Sequence, residues 1–368
     1  MPLNGDLLTP RSAARENESP CLKMAESKRK LVLKSRARPP PPQLVASDEE
    51  DSVEAAAEVP TPKTVRLVAR KLKSAPIRAA SSGEEEEEEE EVRPIPKPAK
   101  PKSVRRFTQT ITITYGECAE NHVGMQKLGQ KAARGLTLAQ LEQMRDHFDE
   151  QGYETELVML AEAGELPDEH LNSETREASV LIIRNGVSAV LKDIIGSDDG
   201  ANDMYDEQNV LDVDKKAFMK GRVVNKHARY NLCFDEEPQE PNYEEKQGRV
   251  IAFSDVPLTD AVRNFFVNEL NLGGLKAEGN YYYEPNCGIG WHGDSERRIV
   301  IAVRLGRSMP LHYRWYHNRV PIGQVVPLML HHGDIYLMSA KAVGTDWLKY
   351  TQVTLRHAAG GPDYLKPK

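Results

Sequence analysis

Nothing in this 368-residue chain approaches the unbroken apolar run of about 18 residues that a bilayer-spanning helix needs, so no membrane span is expected. Met1 to Leu8 lack the basic-then-apolar layout of a secretory signal. Cysteine is scarce and scattered. Cys21, Cys118, Cys233 and Cys287 form no C-x-x-C pair, which argues against a disulfide scaffold or a zinc finger and for a reducing compartment, cytoplasmic or nuclear. Free buried thiols are the expectation for all four. An excess of basic charge is missing where a fold can form. Residues 1–106 carry 21 Lys and Arg against 18 Asp and Glu, whereas 107–368 carry 28 against 38. That balance argues against a broad phosphate-gripping surface and leaves room for a local basic groove.

Residues 1–106 read as a disordered low-complexity tail. Pro39 to Pro42, the acidic run Glu84 to Glu91 and the Pro/Lys alternation from Pro94 to Lys102 bury too little apolar surface to offset the entropy of ordering. Two basic clusters, Lys28 to Arg38 and Arg66 to Lys73, read either as a nuclear address or nucleic-acid arm or as a solvated tail.

A small α/β module is expected over 107–205. Phe107 to Tyr115 alternates with period 2 and predicts a strand. Glu117 to Gln126 reads as a connector entering a helix, and its Asn121 and His122 are weak site candidates against a structural role. Thr137-Leu138-Ala139-Gln140 is a capping box opening a helix with Leu138, Leu141, Met144 and Phe148 near one face, stopped at Gly152. Strands are expected next at Glu156–Leu160 and Ala178–Ile183, then a helix at Val187–Ile195. Asp198 to Asp214 is acidic and reads as a linker or exposed loop.

A β-rich domain is expected over 206–368. Basic and aromatic residues interleave from Gly221 to Phe234, where a flipped base could stack on Tyr230 or His227; the alternative is a basic hairpin paired with acidic loops. Arg249–Phe253 predicts a strand, and Pro257–Leu270 an amphipathic helix covering one face of the C-terminal strands. Short strands then recur at Glu278–Tyr283, Ile299–Leu305, Leu311–Tyr316, Gln324–Leu330, Asp334–Met338 and Thr351–His357, with Gly and Pro between them. This spacing indicates a sandwich or jelly roll.

The chemistry centres on Trp291-His292-Gly293-Asp294-Ser295-Glu296. Residues two apart on a strand point the same way, so His292 and Asp294 can serve one metal ion. A third ligand from a distant strand would complete a triad of two histidines and one carboxylate. That set leaves positions open on ferrous iron for cosubstrate and oxygen. His357 is the candidate.

The series Asn280-x-Tyr282, His292-x-Asp294-x-Glu296, Leu305-Gly306, His332-Gly333-Asp334 and Thr354-x-Arg356 resembles the AlkB-like iron(II)/2-oxoglutarate oxygenases, within the wider group that includes prolyl hydroxylases. The resemblance covers roughly 221–360, and the whole chain is similar to members from large viruses and protists. It implies a double-stranded β-helix, or jelly roll, holding Fe(II) through His292, Asp294 and a distal histidine. It further implies 2-oxoglutarate chelating the iron, O2 at the last position, and decarboxylation to succinate coupled to hydroxylation of a C–H bond. On an N-methylated base the product would release formaldehyde. By family position Asn280, Tyr282 and Arg356 would bind the cosubstrate, and Arg229, Tyr230 and Asn231 the substrate.

The match has departures. AlkB proteins place the distal histidine well before the Arg-containing strand, where this chain has Asp346, Trp347 and Lys349. The run Arg356-His357-Ala358-Ala359 instead resembles prolyl hydroxylases, in which a later lysine, here Lys366 or Lys368, would hold 2-oxoglutarate. Adjacent strand residues face opposite sides, which sets Arg356 against His357 as partners in one site. The expectation is therefore a monomeric dioxygenase hydroxylating or demethylating alkylated nucleic acid. The alternatives are a protein hydroxylase of the prolyl type and a degenerate nucleic-acid-binding module without turnover.

Overall fold

The computed structural model describes residues 105–366. Residues 1–104 of the expected tail, which include its two basic clusters and Cys21, lie outside the described residues, as does Lys368. Arg105, at the end of the expected tail, pairs with Asp206. Within them the strands are β1 (Thr110–Gly116), β2 (Cys118–Glu120), β3 (Lys127–Gly129), β4 (Thr155–Met159), β5 (Ser179–Ile183), β6 (Lys216–Met219), β7 (Arg222–Asn225), β8 (Tyr230–Asp235), β9 (Val250–Ala252), β10 (Lys276–Tyr282), β11 (Gly288–His292), β12 (Val300–Gly306), β13 (Met309–His317), β14 (Val320–Leu330), β15 (Ile335–Met338) and β16 (Thr354–Gly360). The helices are α1 (Leu138–Glu150), α2 (Leu160–Ala163), α3 (Ser173–Arg176), α4 (Gly186–Ile195), α5 (Gly200–Asn209), α6 (Pro257–Glu269) and α7 (Pro362–Leu365). The fold is β-rich, with mixed sheets and few helices.

Eight strands form a large sheet in the order β4-β5-β15-β12-β1-β10-β8-β9, and four form a smaller one in the order β11-β16-β13-β14. The position of β1 is decisive. It pairs antiparallel with both β10 and β12, so the strand nearest the start of the fold lies between two strands from its second half. β4 and β5 extend the same sheet beyond β15. The expected division at residue 205 is therefore corrected: the strands of 107–205 share a sheet with those of the C-terminal half. Strand pairing over more than 150 positions leaves no local mark in the sequence.

Alternation along β1 explains how the sheet is covered. Ile111, Ile113 and Tyr115 face one core, which also holds Leu141, Met144 and Phe148 of α1, Val187 and Leu191 of α4, and Val262 and Phe266 of α6. Thr110, Thr112 and Thr114 face the other way. On that side Val300 and Ala302 of β12, Tyr282 of β10 and Tyr336 of β15 share a second core with Leu311, Tyr313 and Trp315 of β13 and Leu355 of β16. The described residues thus form three layers: helices, large sheet, small sheet. Each fully buried Leu, Ile or Phe contributes about 1.5–3 kcal/mol.

The helix starts obey their sequence signals. Thr137 caps α1 with both arms of the capping box, accepting from Gln140 N at 3.2 Å and donating its own N–H to Gln140 Oε1 at 3.0 Å. Gly152 takes φ +82° just past its end. Pro257 stands in the first turn of α6, whose free N–H groups on Leu258 and Thr259 are accepted by the Glu207 carboxylate. Two expectations fail. Glu117 to Gln126 enters no helix; it forms β2 and the turn into β3, in which Gly124 takes φ +84° as the chain reverses into a hairpin. The acidic segment 198–214 contains α5, whose Ala201, Met204, Tyr205 and Gln208 are buried at helical spacing beneath an exposed acidic face. Among the described residues no helix is long and apolar enough to cross a membrane.

Candidate metal centre

β11 and β16 are antiparallel neighbours in the small sheet, and His292 stands directly opposite His357 in their register. Their rings are 4.5 Å apart, centroid to centroid. Asp294 lies just beyond the end of β11, where its N–H donates to the Val343 carbonyl at 3.0 Å. The expected strand geometry, with His292 and Asp294 two apart on one strand, is thus corrected: a tight loop brings the carboxylate round. Gly293 permits that loop, since a Cβ there would meet the Gly344 carbonyl oxygen at 2.1 Å. Asp294 Oδ1 lies 3.5 Å from His292 Nε2 and 3.4 Å from His357 Nε2. All three ligand atoms fall within 4.8 Å of one another.

The surroundings suit a cation. The His292 Nδ1–H donates to the Gly290 carbonyl at 2.7 Å, which fixes the tautomer and turns the Nε2 lone pair toward Asp294. Burial, helped by the neighbouring His357, pushes the His292 pKa down to about 3, so the ring is neutral and able to ligate at pH 7. Burial alone would raise the Asp294 carboxyl. The hydrogen bond and charge of His357, with Arg297 and His292, outweigh it and hold the carboxyl well below its ordinary value. His357 is nearly buried, Asp294 is 13% exposed and His292 24%, so the cluster opens to one side. These donors fit a divalent first-row metal with free coordination positions.

Arg297, buried to 3%, ties the centre to the large sheet. It pairs with Glu278 of β10, with Glu296 at 2.9 Å and with Asp294 at 3.7 Å. Glu278 shares its strand face with Asn280, whose Nδ2 donates to it at 3.1 Å. Asn280 Oδ1 accepts from Arg229 Nε at 2.5 Å and from Asn231 Nδ2 at 2.8 Å. Asn231 in turn accepts from the buried Lys226 at 3.0 Å, and Lys226 donates to Asn121 Oδ1 at 2.7 Å. A polar chain therefore runs from Asn121 to the metal cluster. Residue type alone makes Asn121 a weak candidate, and sequence reasoning misses Arg297, Glu278 and Lys226. Period-2 spacing from Asn280 and Tyr282 is the signal that could find Glu278.

The structure brings His292, Asp294 and His357 together, with Asn280 on the adjoining polar chain and Tyr282 in the inter-sheet core. Arg229 and Asn231 converge on Asn280, while Tyr230 stacks on Tyr283 at 4.4 Å and 16°. Arg356 is a correction. It projects to the face of β16 opposite His357 and lies over the Tyr316 ring at 4.1 Å, with Trp347 at 5.3 Å. It cannot share a site with His357, because adjacent strand residues point to opposite faces. Asp346, the alternative third ligand, is paired with Lys341 at 2.6 Å, and Lys366 is exposed and paired with Asp363. His332 and Asp334 belong to a structural turn: Asp334 accepts from Arg184 at 2.6 Å and from His331 N at 2.8 Å, and His332 Nδ1 accepts from Gly306 N at 2.9 Å. Cys118, Cys233 and Cys287 are buried and free.

No family model matches the chain. Over 260 residues it is 45% identical to the uncharacterized protein R156 of Acanthamoeba polyphaga mimivirus, a match covering 70% of this chain and 98% of the viral protein. With that identity over nearly the whole relative, the chain belongs to the family of the mimivirus protein R156.

Proposed function

We propose that the chain is an iron(II)/2-oxoglutarate-dependent dioxygenase of AlkB-like character, acting on alkylated nucleic acid. The observation that carries this reading is the convergence of His292, Asp294 and His357 at the paired strands β11 and β16 of the small sheet, with His292 and Asp294 partly exposed. The small sheet and the strands β15-β12-β1-β10 are read as a double-stranded β-helix, in which β1 supplies a strand that an uninterrupted jelly roll would take from its C-terminal end.

Bound iron and 2-oxoglutarate supply, with O2, an oxidant that hydroxylates a C–H bond while the cosubstrate loses CO2 and becomes succinate. The chain's own groups prepare for this. His292 and His357 present Nε2, and Asp294 stays ionised beside Arg297. Asn280 is held by Arg229, Asn231 and Glu278, which sets its amide in one orientation near the cluster. The stacked Tyr230 and Tyr283 rings offer a face on which an unpaired base can rest, and Arg229 adds a cation beside it. The chain is read as a monomer of the cytoplasm or nucleus.

A second reading keeps the chemistry and takes a protein substrate. It is favoured by the Arg356-His357-Ala358-Ala359 run, in which His357 joins the cluster while Arg356 turns outward. Formaldehyde release from N-methylated oligonucleotides in the presence of Fe(II), ascorbate and 2-oxoglutarate tests the substrate class. Turnover on a peptide alone would shift the assignment to the second reading. Oligonucleotide binding without any succinate would point to a non-catalytic module.

A further inference from the structure

Arg304 is an anomaly in β12. Every residue of Val300–Gly306 is buried, and Arg304 itself is 1% exposed. Its Nε and Nη1 have no hydrogen-bond partner, and no carboxylate among the described residues pairs with it. Leaving two nitrogens of a buried guanidinium without partners, and no carboxylate beside its charge, costs several kcal/mol, a penalty that a bound anion would offset. Alternation settles which layer it enters. Val303 and Leu305 face the helices, whereas Val300 and Ala302 face the small sheet, and Arg304 shares the latter side.

Its neighbours are also incomplete. Thr112 stands directly opposite Arg304 on β1, and Asn280 stands opposite Thr112 on β10, giving one row across three strands of the inner face. Thr112 Oγ1 is buried without a partner. Across the layer, the buried Tyr313 hydroxyl also has none, and the Tyr313 ring is 5.7 Å from that of His357. The Arg304 charge acts on Tyr282 and Tyr336, while Tyr313 feels both Tyr336 and Asp294. Orphaned donors thus cluster in the layer that ends at the metal cluster.

We propose that Arg304, with Thr112 and the Tyr313 hydroxyl, forms a buried carboxylate site that takes the distal carboxylate of a linear 2-oxo diacid whose other end reaches His292, Asp294 and His357. The planar fork of a guanidinium matches a carboxylate in two parallel hydrogen bonds. This rests on the dioxygenase reading for the identity of the diacid, namely 2-oxoglutarate. It also fills the role that the outward-facing Arg356 cannot.

The full-length protein is tested in two ways. Without metal, glutarate, which has both carboxylates but no 2-oxo group, raises the melting temperature of the wild type and not of Arg304→Met. With Mn(II), calorimetry finds 2-oxoglutarate bound about 10- to 100-fold more tightly than pyruvate, the range a charged hydrogen-bonded pair supplies. Arg304→Met erases that preference, and Arg304→Lys, which keeps the charge without the fork, retains part of it. Ligand-free Arg304→Met melts at or above the wild type, because an uncompensated buried charge has gone; a merely structural arginine would give the opposite sign. No glutarate effect on the wild type, or an unchanged preference in either variant, overturns the proposal. Succinate formation with unaltered 2-oxoglutarate affinity in the variants removes this inference and leaves the dioxygenase reading standing. Arg304-dependent glutarate binding with no succinate does the reverse.

Discussion

His292 and His357 face each other as a cross-strand pair on β11 and β16, with ring centroids 4.5 Å apart, although 64 residues separate them in the chain. The register of one short strand pair therefore sets the geometry of the whole candidate centre. Asp294 is added by the loop that leaves β11, and its carboxylate lies nearly equidistant from both imidazoles.

The third ligand can be tested directly. His357→Ala should lose tight Fe(II) binding in an anaerobic titration, while Asp346→Ala should keep it, because Asp346 is engaged with Lys341. The reverse result would move the ligand to the shortened region before β16.

Gly293→Ala should impair the centre without removing any donor. The added methyl would meet the Gly344 carbonyl oxygen at 2.1 Å and the Trp347 Cβ at 3.0 Å, so the loop carrying Asp294 must shift. Misplacing a ligand or its support typically costs about 10- to 100-fold in metal affinity. Fe(II) affinity measured beside the wild type, with the far-ultraviolet circular dichroism unchanged, checks this.

Arg356→Ala should leave 2-oxoglutarate affinity unchanged and cost about 0.5–2 kcal/mol of stability, the range for a cation lying over an aromatic face. Chemical denaturation and calorimetric binding of the cosubstrate separate the two effects. A large loss of 2-oxoglutarate affinity would restore Arg356 to the site.

Burial pushes the Lys226 ammonium down from 10.5 to about 8. Between about pH 8 and 10.5 the unfolded chain holds more protons on this group than the folded one, so folding stability rises with pH there. The wild type should gain stability over this window relative to Lys226→Met. Equilibrium unfolding of both proteins at pH 7.5, 9 and 10 reads the sign, and parallel curves would contradict it.

Much of the fold is legible where the pattern is local. The β1 alternation, the Thr137 capping box and the Pro257 start of α6 each leave a mark within a few residues. The partners of β1 cannot be read, because the paired residues of β10 and β12 lie 160 to 196 positions away. Helix α5 is hidden by its acidic solvent face, although Met204, Tyr205 and Gln208 carry the helical spacing. For the site, His292, Asp294 and His357 are readable from residue type and spacing, and alternation already sets Arg356 against His357. Arg304 is easily passed over as part of an apolar strand, yet one arginine within Val300–Gly306 is itself the signal of a buried charge.

The most direct measurement is succinate formed from 2-oxoglutarate by the purified full-length protein with Fe(II), ascorbate and O2, for the wild type, His292→Ala and Asp294→Ala. The predicted result is succinate from the wild type, stimulated by substrate, and none above background from either variant. Equal succinate from all three proteins, or none from a wild type shown to bind both iron and 2-oxoglutarate, would contradict the dioxygenase assignment.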